Sequence, residues 1–448
     1  MHKKQGVILP ITLFSYFLIL MDNSIIFTSS LQIGKSFGFS ATELSWVSNA
    51  YTLTFGGFLL LSGRLLDLYE RKKVFLAGLI IFGISSLVIG CTQSGLLLIL
   101  MRGIQGIGSS IIAPATLALI MDYYQGEQRA RAISFYGATA GIGASVGLIL
   151  GGGLTTFVSW RAGFIINVPF VLILVIATYR FIKSSAVHQQ KLDIAGSALS
   201  ILGLTALIYG LSEGNWLLMG MGISLLAGFL FWESKTKHPI LPLSLFQNRI
   251  RFSAYLVRML FMMAMLPLWF YLPQMMQSTY HFTALQSAIA FLPLTIVNFV
   301  IAMFLPKISQ YLHNNWILFI GEVVLLIGEI WLIIADVNKG YLHTLLLPMI
   351  LLGIGQGLVL SLVTSAGVYQ APQHLAGIAS ALTNTMHQIG GPLGLSIIVL
   401  NTIQFQIKMM FIACYTSFAI VIIIFGMLRK KEYMKKGRFV YRPPKVRP

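Results

Sequence analysis

The sequence predicts an all-α integral membrane protein, and three observations lead to that fold class. The 448 residues are 56% hydrophobic and only 10% charged, whereas a soluble domain carries roughly 25% charged residues. Apolar segments of about 20 residues, long enough to cross a bilayer as helices, recur along the whole chain. The connections and termini predicted on one side of the membrane hold 25 of the 31 Lys and Arg residues, and the connections predicted on the other side hold four. Because positive charge accumulates on the cytoplasmic side, both termini are expected in the cytoplasm.

Fourteen apolar segments are predicted to be transmembrane helices. Basic, polar stretches at 183–193 and 233–251 divide them into groups of six, two and six. We therefore expect an N-terminal six-helix bundle (1–183), two linker helices (184–240) and a C-terminal six-helix bundle (241–448) with a basic cytoplasmic tail. The predicted helices lie near 8–28, 45–63, 74–92, 95–120, 132–157, 161–181, 194–212, 214–232, 251–276, 284–306, 315–335, 341–366, 375–400 and 409–428.

Glycine-rich segments recur at corresponding places in the two predicted bundles. RGIQGIGSSIIAPA (102–115) in the fourth helix matches GIGQGLVLSLVTSA (353–366) in the twelfth, the fourth of the second bundle. Internal repeats of this kind are typical of secondary transporters, which bind substrate between the repeats near the bilayer midplane. The net charge of +18 lies mainly in the cytoplasmic connections and the tail. This pattern indicates contact with anionic lipid rather than with nucleic acid.

One acid and one arginine are predicted to pair inside the N-terminal bundle. An ionisable side chain in a membrane helix costs at least about 2.5–3.5 kcal/mol, so each suggests a function. Asp22 precedes the outer end of its predicted helix by six residues, or roughly 9 Å, and Arg102 follows the outer end of its own by seven, or roughly 11 Å. The pair could release and take up a proton as it opens and closes, or it could be a permanent salt bridge between two helices.

Two further acids, Glu322 and Glu329, lie at depth in the predicted eleventh helix. Their spacing of seven residues places them on one helix face. They could relay protons or attract a cationic substrate. Alternatively, they could pair with a neighbour such as Arg258, which has a comparable predicted depth.

The predicted ninth helix favours a binding cavity for lipophilic compounds. It interleaves methionines with aromatic residues, and such flexible, polarizable and aromatic surfaces suit varied, often cationic ligands. Ordinary packing is the alternative for each residue. The eight histidines have no metal-ligand spacing, and neither a nucleophile elbow nor a phosphate loop is present, so no metal and no cofactor are expected. The residues predicted to line the cavity are Gln105, Met262, Met263, Trp269, Tyr271, Asn384 and His387.

Five motifs resemble the major facilitator superfamily, and within it the fourteen-helix drug:proton antiporters. GRLLDLYERKK (63–73) is similar to the loop signature of that superfamily, although Leu68 and Glu70 replace its usual arginine and glycine. LILMRGIQGIGSS, LMDNSIIF and WRAGFIINVP are similar to its helix-four, helix-one and helix-six motifs. GASVGLILGG (143–152) resembles the antiporter signature of helix five, with Leu148 in place of its proline. The matching residues in the loop and in helix five are Gly63, Asp67, Arg71 and Lys72, and Gly143, Gly147, Gly151 and Gly152.

The resemblance implies a monomeric exporter of lipophilic cationic or zwitterionic drugs from a bacterial cell, driven by the proton gradient across the plasma membrane. Two six-helix bundles would rock around a central cavity. Asp22 would take and release the proton with Arg102 as its switching partner, and loop 63–73 would lock the inward-closed state through Asp67 and Arg71. One alternative is an exporter of an endogenous metabolite, peptide or siderophore. A remote alternative is a polytopic membrane enzyme acting on lipid.

Overall fold

The computed structural model describes residues 2–183, 193–236, 239–372, 375–400 and 404–428, without the side chains of 2–6, 67, 130, 134, 138, 140 and 141. These residues form α-helices joined by short connections. The predicted basic tail and most of the 183–193 stretch lie outside the described residues. The helices are α1 His2–Phe37, α2 Ala41–Leu68, α3 Arg71–Cys91, α4 Gly95–Tyr123, α5 Gly126–Phe157, α6 Trp160–Ile165, α7 Asn167–Phe181, α8 Ile194–Glu213, α9 Trp216–Lys235, α10 Arg249–Thr279, α11 Ala284–Tyr311, α12 Asn314–Ile334, α13 Leu347–Gly367, α14 Ala376–Leu400 and α15 Phe405–Ile423.

Twelve helical segments of the described chain are long and apolar enough to cross a membrane, with α6 and α7 counted as one. Two other long helices, α2 and α14, fall outside that set because they carry more polar residues. These two helices pack on each other. Asn49 of α2 donates to the Ser396 hydroxyl at 3.1 Å, and a side chain at Gly56 would collide with Gln388 of α14. Some of the polar side chains of α2 and α14 therefore lie between these two helices rather than facing lipid.

The first helix is longer than predicted and the sixth is interrupted. α1 continues nine residues past the predicted end and stops at Gly38, whose φ of 65° is the left-handed conformation that ends a helix. At the expected end, the Thr28 hydroxyl donates to the Ile25 carbonyl of the preceding turn, so this polar side chain is accommodated inside the helix and does not end it. Ile166 separates α6 from α7, three residues before Pro169, which has no N–H to donate to the Ile165 carbonyl.

The helices pack as two bundles. In the first bundle α1 lies against α5, α2 against α4, and α3 against α4 and α7. In the second bundle α10 lies against α14 and α15, and α13 against α11 and α12. α8 and α9 pack on one another, and α8 also contacts α2 and α14. The surface along which α1, α2 and α5 meet α10, α11 and α14 is called the seam below.

Hydrogen bonds connect the two bundles across the seam at the end of the molecule that carries the α1–α2 connection, residues 38–40. This end of the molecule is called the sealed end below. Here the Gln32 amide donates to Gln277 at 2.9 Å, and Gln277 donates to the Thr28 carbonyl at 3.2 Å. The Thr156 hydroxyl accepts from the Leu285 amide at 3.0 Å. These contacts connect α1 to α10 and α5 to α11.

Candidate functional site

The aspartate and arginine predicted to pair do form an ion pair inside the first bundle. Arg102 Nη1 lies 2.8 Å from Asp22 Oδ2, and neither side chain has any exposed surface. The pairing is therefore confirmed, although the depth estimate behind it was wrong for Asp22. Because α1 extends to Phe37, Asp22 lies 15 residues before the end of its helix instead of the expected six. Its proton-coupling role stays a prediction.

Three donors converge on the Asp22 carboxylate. Oδ2 accepts from Arg102, and Oδ1 accepts from Gln105 Nε2 at 3.0 Å and from Asn167 Nδ2 at 2.6 Å. Gln105 also accepts from Arg102 at 2.6 Å and donates to the Ser86 hydroxyl at 2.8 Å. Every contact gives hydrogen to the carboxylate, as an ionised aspartate requires. The site is thus a closed network joining α1, α3, α4 and α7.

Arg102 also contacts α2 and an aromatic ring, while its Nη2 has no hydrogen-bond partner in the described chain. Nε donates to the Val47 carbonyl at 3.0 Å. The guanidinium carbon lies 4.2 Å from the centroid of the Tyr51 ring and 5.8 Å from that of Phe164. A cation over an aromatic face is stabilised by the ring quadrupole when water is excluded. These contacts explain how a charged side chain persists at this depth.

Three of the four helix-five glycines lie against α1 beside Asp22. A Cβ atom at Gly147 would stand 2.5 Å from the Met21 carbonyl oxygen, and one at Gly151 would stand 2.8 Å from the Ile25 Cα. Gly143 makes a looser approach to Phe17 and Leu20 of the same helix.

The fourth, Gly152, faces the other bundle instead. A Cβ atom there would stand 2.7 Å from the Ala284 carbonyl oxygen of α11. The signature therefore lets α5 touch both α1 and the second bundle, and Leu148 in place of the proline does not interrupt α5.

The alternative in which Arg258 pairs with the acids of α12 is wrong for the described residues. Arg258 donates to the Leu360 carbonyl at 3.0 Å and forms no salt bridge with either acid. Glu329 accepts from the Thr416 hydroxyl of α15 at 2.8 Å. Neither carboxylate oxygen of Glu322 has a hydrogen-bond partner in the described chain, although the side chain is fully buried.

The predicted cavity residues are distributed over different environments. Asn384 is exposed, and Met262, Trp269 and His387 are half-buried. Met263 is packed against Gly394 of α14. The prediction for Gln105 needs correction, because its amide is fully buried in the Asp22 network and lines no open space.

Two aromatic residues of the same prediction lie nearer the sealed end. Trp269 is in edge contact with Phe27 of α1 and Phe291 of α11, with centroids at 5.6 and 5.2 Å. Tyr271 is buried, and the Lys408 ammonium lies 4.2 Å from its ring centroid. Trp269 thus contributes to the seam, whereas Tyr271 contacts α15.

The predicted gating loop makes described contacts both within the first bundle and beyond it. Arg64 donates to the Pro239 carbonyl, in the connection between α9 and α10, at 3.0 Å. Arg71 forms an ion pair with Asp122 at the end of α4. Lys72 donates to the Tyr179 carbonyl at 2.7 Å. Gly63 has open space where a side chain would stand, and the Asp67 side chain lies outside the described residues.

Sequence reasoning missed Asn167, Ser86 and Tyr51, which complete the Asp22 site. Asn167 lies in the WRAGFIINVP motif, and an amide within an apolar run is a signal that could have indicated a polar partner. Ser86 and Tyr51 carry no comparable signal, because serine and tyrosine are common in membrane helices without any special role.

The comparisons with known proteins agree with this architecture. The model of the Major Facilitator Superfamily matches residues 12–395. The chain belongs to the major facilitator superfamily. Similar members include the Cephamycin export protein CmcT of Amycolatopsis lactamdurans, 31% identical over 87% of this chain and 83% of the relative. The Puromycin resistance protein pur8 of Streptomyces alboniger is 30% identical over 88% and 81%. The Multidrug transporter protein MdtP of Bacillus subtilis is 28% identical over 89% and 75%.

Solved structures of the superfamily share the fold. A crystal structure of the D-xylose-proton symporter aligns with a TM-score of 0.69 over 93% of this chain and 97% of the symporter, at 12% identity. The inward-open xylose transporter XylE of E. coli aligns with a TM-score of 0.68 at 13% identity. The chain is therefore a multi-pass membrane transporter of this superfamily, and it is similar to members named for drug export. The alternative of a lipid-modifying enzyme is not supported.

Proposed function

We propose that this protein is a proton-coupled antiporter that exports lipophilic cationic or zwitterionic compounds by alternating access. One observation carries the proposal: a fully buried carboxylate, Asp22, bound by Arg102, Gln105 and Asn167. Titratable groups at this depth are costly and mark proton or substrate pathways. The relative named for cephamycin export supports the direction of transport, and the relatives named for puromycin resistance and multidrug transport support drugs as cargo.

The network suggests how proton uptake would couple to helix movement. While Arg102 and two amides surround the carboxylate, the charge is compensated. Moving α1 away from α4 would remove Arg102 and Gln105 from Asp22 and leave the carboxylate without its counter-ion in apolar surroundings, where the neutral form is favoured. The tight α5 contact at Gly147 lies one residue from Asp22 on α1, at Met21. A shift of α5 against α1 would therefore reach the proton site directly.

The proposal includes the arrangement expected from the sequence. It comprises fourteen transmembrane helices, six-helix bundles at 1–183 and 241–448 with linker helices between them, cytoplasmic termini, no cofactor and a monomeric state in a bacterial plasma membrane. The sealed end would then face outward, so this conformation would be closed to the outside. Arg71 would act in gating with Asp67, and its ion pair with Asp122 would hold the loop in this state.

The decisive experiment compares Asp22→Asn with wild type in proteoliposomes. Asparagine preserves the shape of the side chain but cannot carry a removable proton. We expect pH-driven accumulation of a fluorescent drug to be lost, while exchange of labelled for unlabelled drug without a gradient continues. Glu127→Gln, an exposed acid of α5, is the matched control and should transport normally. Full pH-driven transport by Asp22→Asn would contradict the proposal.

A second candidate is a dedicated exporter of one endogenous compound. The relative named for cephamycin export favours it. Susceptibility of cells expressing or lacking the protein to a panel of unrelated dyes and antibiotics distinguishes the two. Protection against a single chemical class would favour the dedicated exporter.

A further inference from the structure

The second bundle holds one arginine deep in a membrane-spanning helix and without a counter-ion. Arg258 is the tenth residue of α10 and only 5% of its surface is exposed. Nη1 donates to the Leu360 carbonyl at 3.0 Å, and Nε has no hydrogen-bond partner in the described chain. An arginine buried at this depth is expected to be paired or to serve a function.

None of the deep acids of the described helices forms an ion pair with Arg258. Asp22 is bound by Arg102. Glu322 and Glu329 belong to α12, which packs on α13 and α15 rather than on α10, and Glu329 is bonded to Thr416 of α15. The positive charge of Arg258 is thus not compensated by any described carboxylate.

The groups around Arg258 come from both bundles. α10 meets α14 beside Arg258, because a Cβ atom at Gly390 would stand 2.3 Å from the Met259 carbonyl oxygen, and His387 lies about one turn before Gly390 on α14. α1 packs on α10 across the seam, and Tyr16 and Arg258 each lie 21 residues before the end of their helix at the sealed end, so they are at the same level. Tyr16 stacks on Tyr136 of α5 with ring centroids 4.0 Å apart and planes 15° from parallel. His387 is half-buried, and its Nδ1 has no partner among the described atoms. One side of the seam thus offers aromatic rings, and the other offers a cation and a free imidazole nitrogen.

We propose that Arg258, assisted by His387, binds an acidic group of the transported compound, while the compound's aromatic body lies toward Tyr16 and Tyr136. This inference rests on the proposed export function and narrows its cargo to amphiphiles with a carboxylate or another anionic group. A guanidinium presents five N–H donors in a planar fork that suits carboxylates. Pure cations would meet an uncompensated positive charge at the same place.

A comparison with Arg251 argues against a structural role for Arg258. Arg251 lies two turns earlier on α10, where it donates to the carbonyls of Leu245, Tyr369 and Gln370 at 3.0, 3.1 and 2.9 Å. That guanidinium ties chain segments together. The single acceptor of Arg258, the Leu360 carbonyl, also receives the Thr364 hydroxyl at 2.7 Å, so removal of Arg258 would not leave it without a donor.

The test measures binding to the purified full-length protein in nanodiscs. Rhodamine B and its ethyl ester share a chromophore and differ by one carboxylate. We expect the acid to bind at least about tenfold more tightly than the ester, the effect of one charge-assisted hydrogen bond. Arg258→Gln should remove this preference by weakening the acid alone, and His387→Gln should reduce it in part. Arg180→Gln removes an exposed arginine of α7 and should leave the preference unchanged.

Several outcomes would overturn the inference. Equal affinities of the two dyes for wild type would do so without any variant, as would a preference that survives in Arg258→Gln. A lipid headgroup has the same anionic chemistry, so the titration is run in phosphatidylcholine and in phosphatidylglycerol discs. Loss of the preference only in phosphatidylglycerol would assign Arg258 to lipid and overturn the assignment to cargo.

Transport of the two dyes is measured separately from binding. Export of neither dye from proteoliposomes would count against the proposed function, whereas the binding preference would still decide the role of Arg258. Export of both dyes together with equal binding affinities would support the proposed export function and contradict the proposed role of Arg258.

Discussion

Arg102 and Arg258 are both arginines deep within a helix, one in each bundle, and their surroundings are opposite. Arg102 is fully buried against a carboxylate, an amide, a backbone carbonyl and an aromatic face. Arg258, on the seam helix α10, has one described backbone acceptor, Leu360 of its own bundle, and no described carboxylate. The first charge is compensated by its own bundle, and the second is left for something outside the chain.

The acids of the two bundles repeat the difference. Asp22 receives hydrogen bonds from three side chains, whereas Glu329 receives one and Glu322 receives none from the described residues. Buried polar groups without partners are rare and call for an explanation. We infer that the first bundle holds charge in a stable network, while the second keeps groups available for ligands or protons.

The largest expected effect is on the free energy of unfolding when each arginine is replaced by leucine. Arg102→Leu leaves Asp22 buried without its counter-ion and should lower the stability by about 3–5 kcal/mol. Arg258→Leu leaves no carboxylate behind and should change it by less than about 1 kcal/mol. Titration of both purified variants with denaturing detergent measures the difference. Equal losses would show that Arg258 also has a structural partner.

The second prediction concerns the amide that sequence reasoning missed. Asn167→Ala removes the 2.6 Å hydrogen bond to Asp22, and a hydrogen bond to a charged group contributes about 1.5–3 kcal/mol. The same unfolding titration should show a loss in that range. Asn384→Ala, at an exposed position of α14, is the control and should be neutral. A neutral Asn167→Ala would mean that Asp22 does not depend on this donor.

The third prediction addresses the contact between α5 and α1. Gly147→Ala forces a methyl group against the Met21 backbone, and overpacking of this kind costs about 1–3 kcal/mol. Because the contact lies next to Asp22, pH-driven transport should also fall. Gly137→Ala on the same helix places its methyl group in open space and should alter neither property. A matched loss in Gly137→Ala would point to helix flexibility rather than close packing.

The smallest expected effect lies in the second bundle. Thr416→Val removes the hydrogen bond to Glu329 and should lower the stability by about 1 kcal/mol. Thr205→Val on α8, whose hydroxyl bonds only to its own helix in the described contacts, provides the control. A loss as large as that of Asn167→Ala would show that Glu329 is held as firmly as Asp22.

Much of the helix pattern could be predicted from apolar runs, because any polar backbone within a bilayer must be satisfied inside its own helix. The ends of the helices were harder to predict from the sequence. α1 extends to Phe37 and ends at Gly38, and the interruption at Ile166 comes three residues before Pro169. Depth counting nevertheless paired Asp22 with Arg102, since two opposite charges in one bundle have few alternatives to each other.

The cavity residues were predicted less well, because residue type does not show which side of a helix faces a neighbour. Gln105 has the right chemistry for a binding surface, but its amide bonds to Asp22. Met263 stays a prediction, because its described contact with Gly394 of α14 is made by its backbone. That Arg258 forms no ion pair with the α12 acids among the described residues could not be foreseen either, because similar depth does not imply adjacent helices.

The sequence by itself determined that the chain is a helical membrane protein of the major facilitator superfamily and that Asp22, Arg102, Arg258 and the α12 acids are its costly groups. Hydropathy and charge are local properties, so they can be read residue by residue. Only the tertiary structure decided which of those groups are compensated. Compensation depends on which helices touch. Those contacts bring Asn167 and Gln105 to Asp22 but bring no carboxylate of the described chain to Arg258.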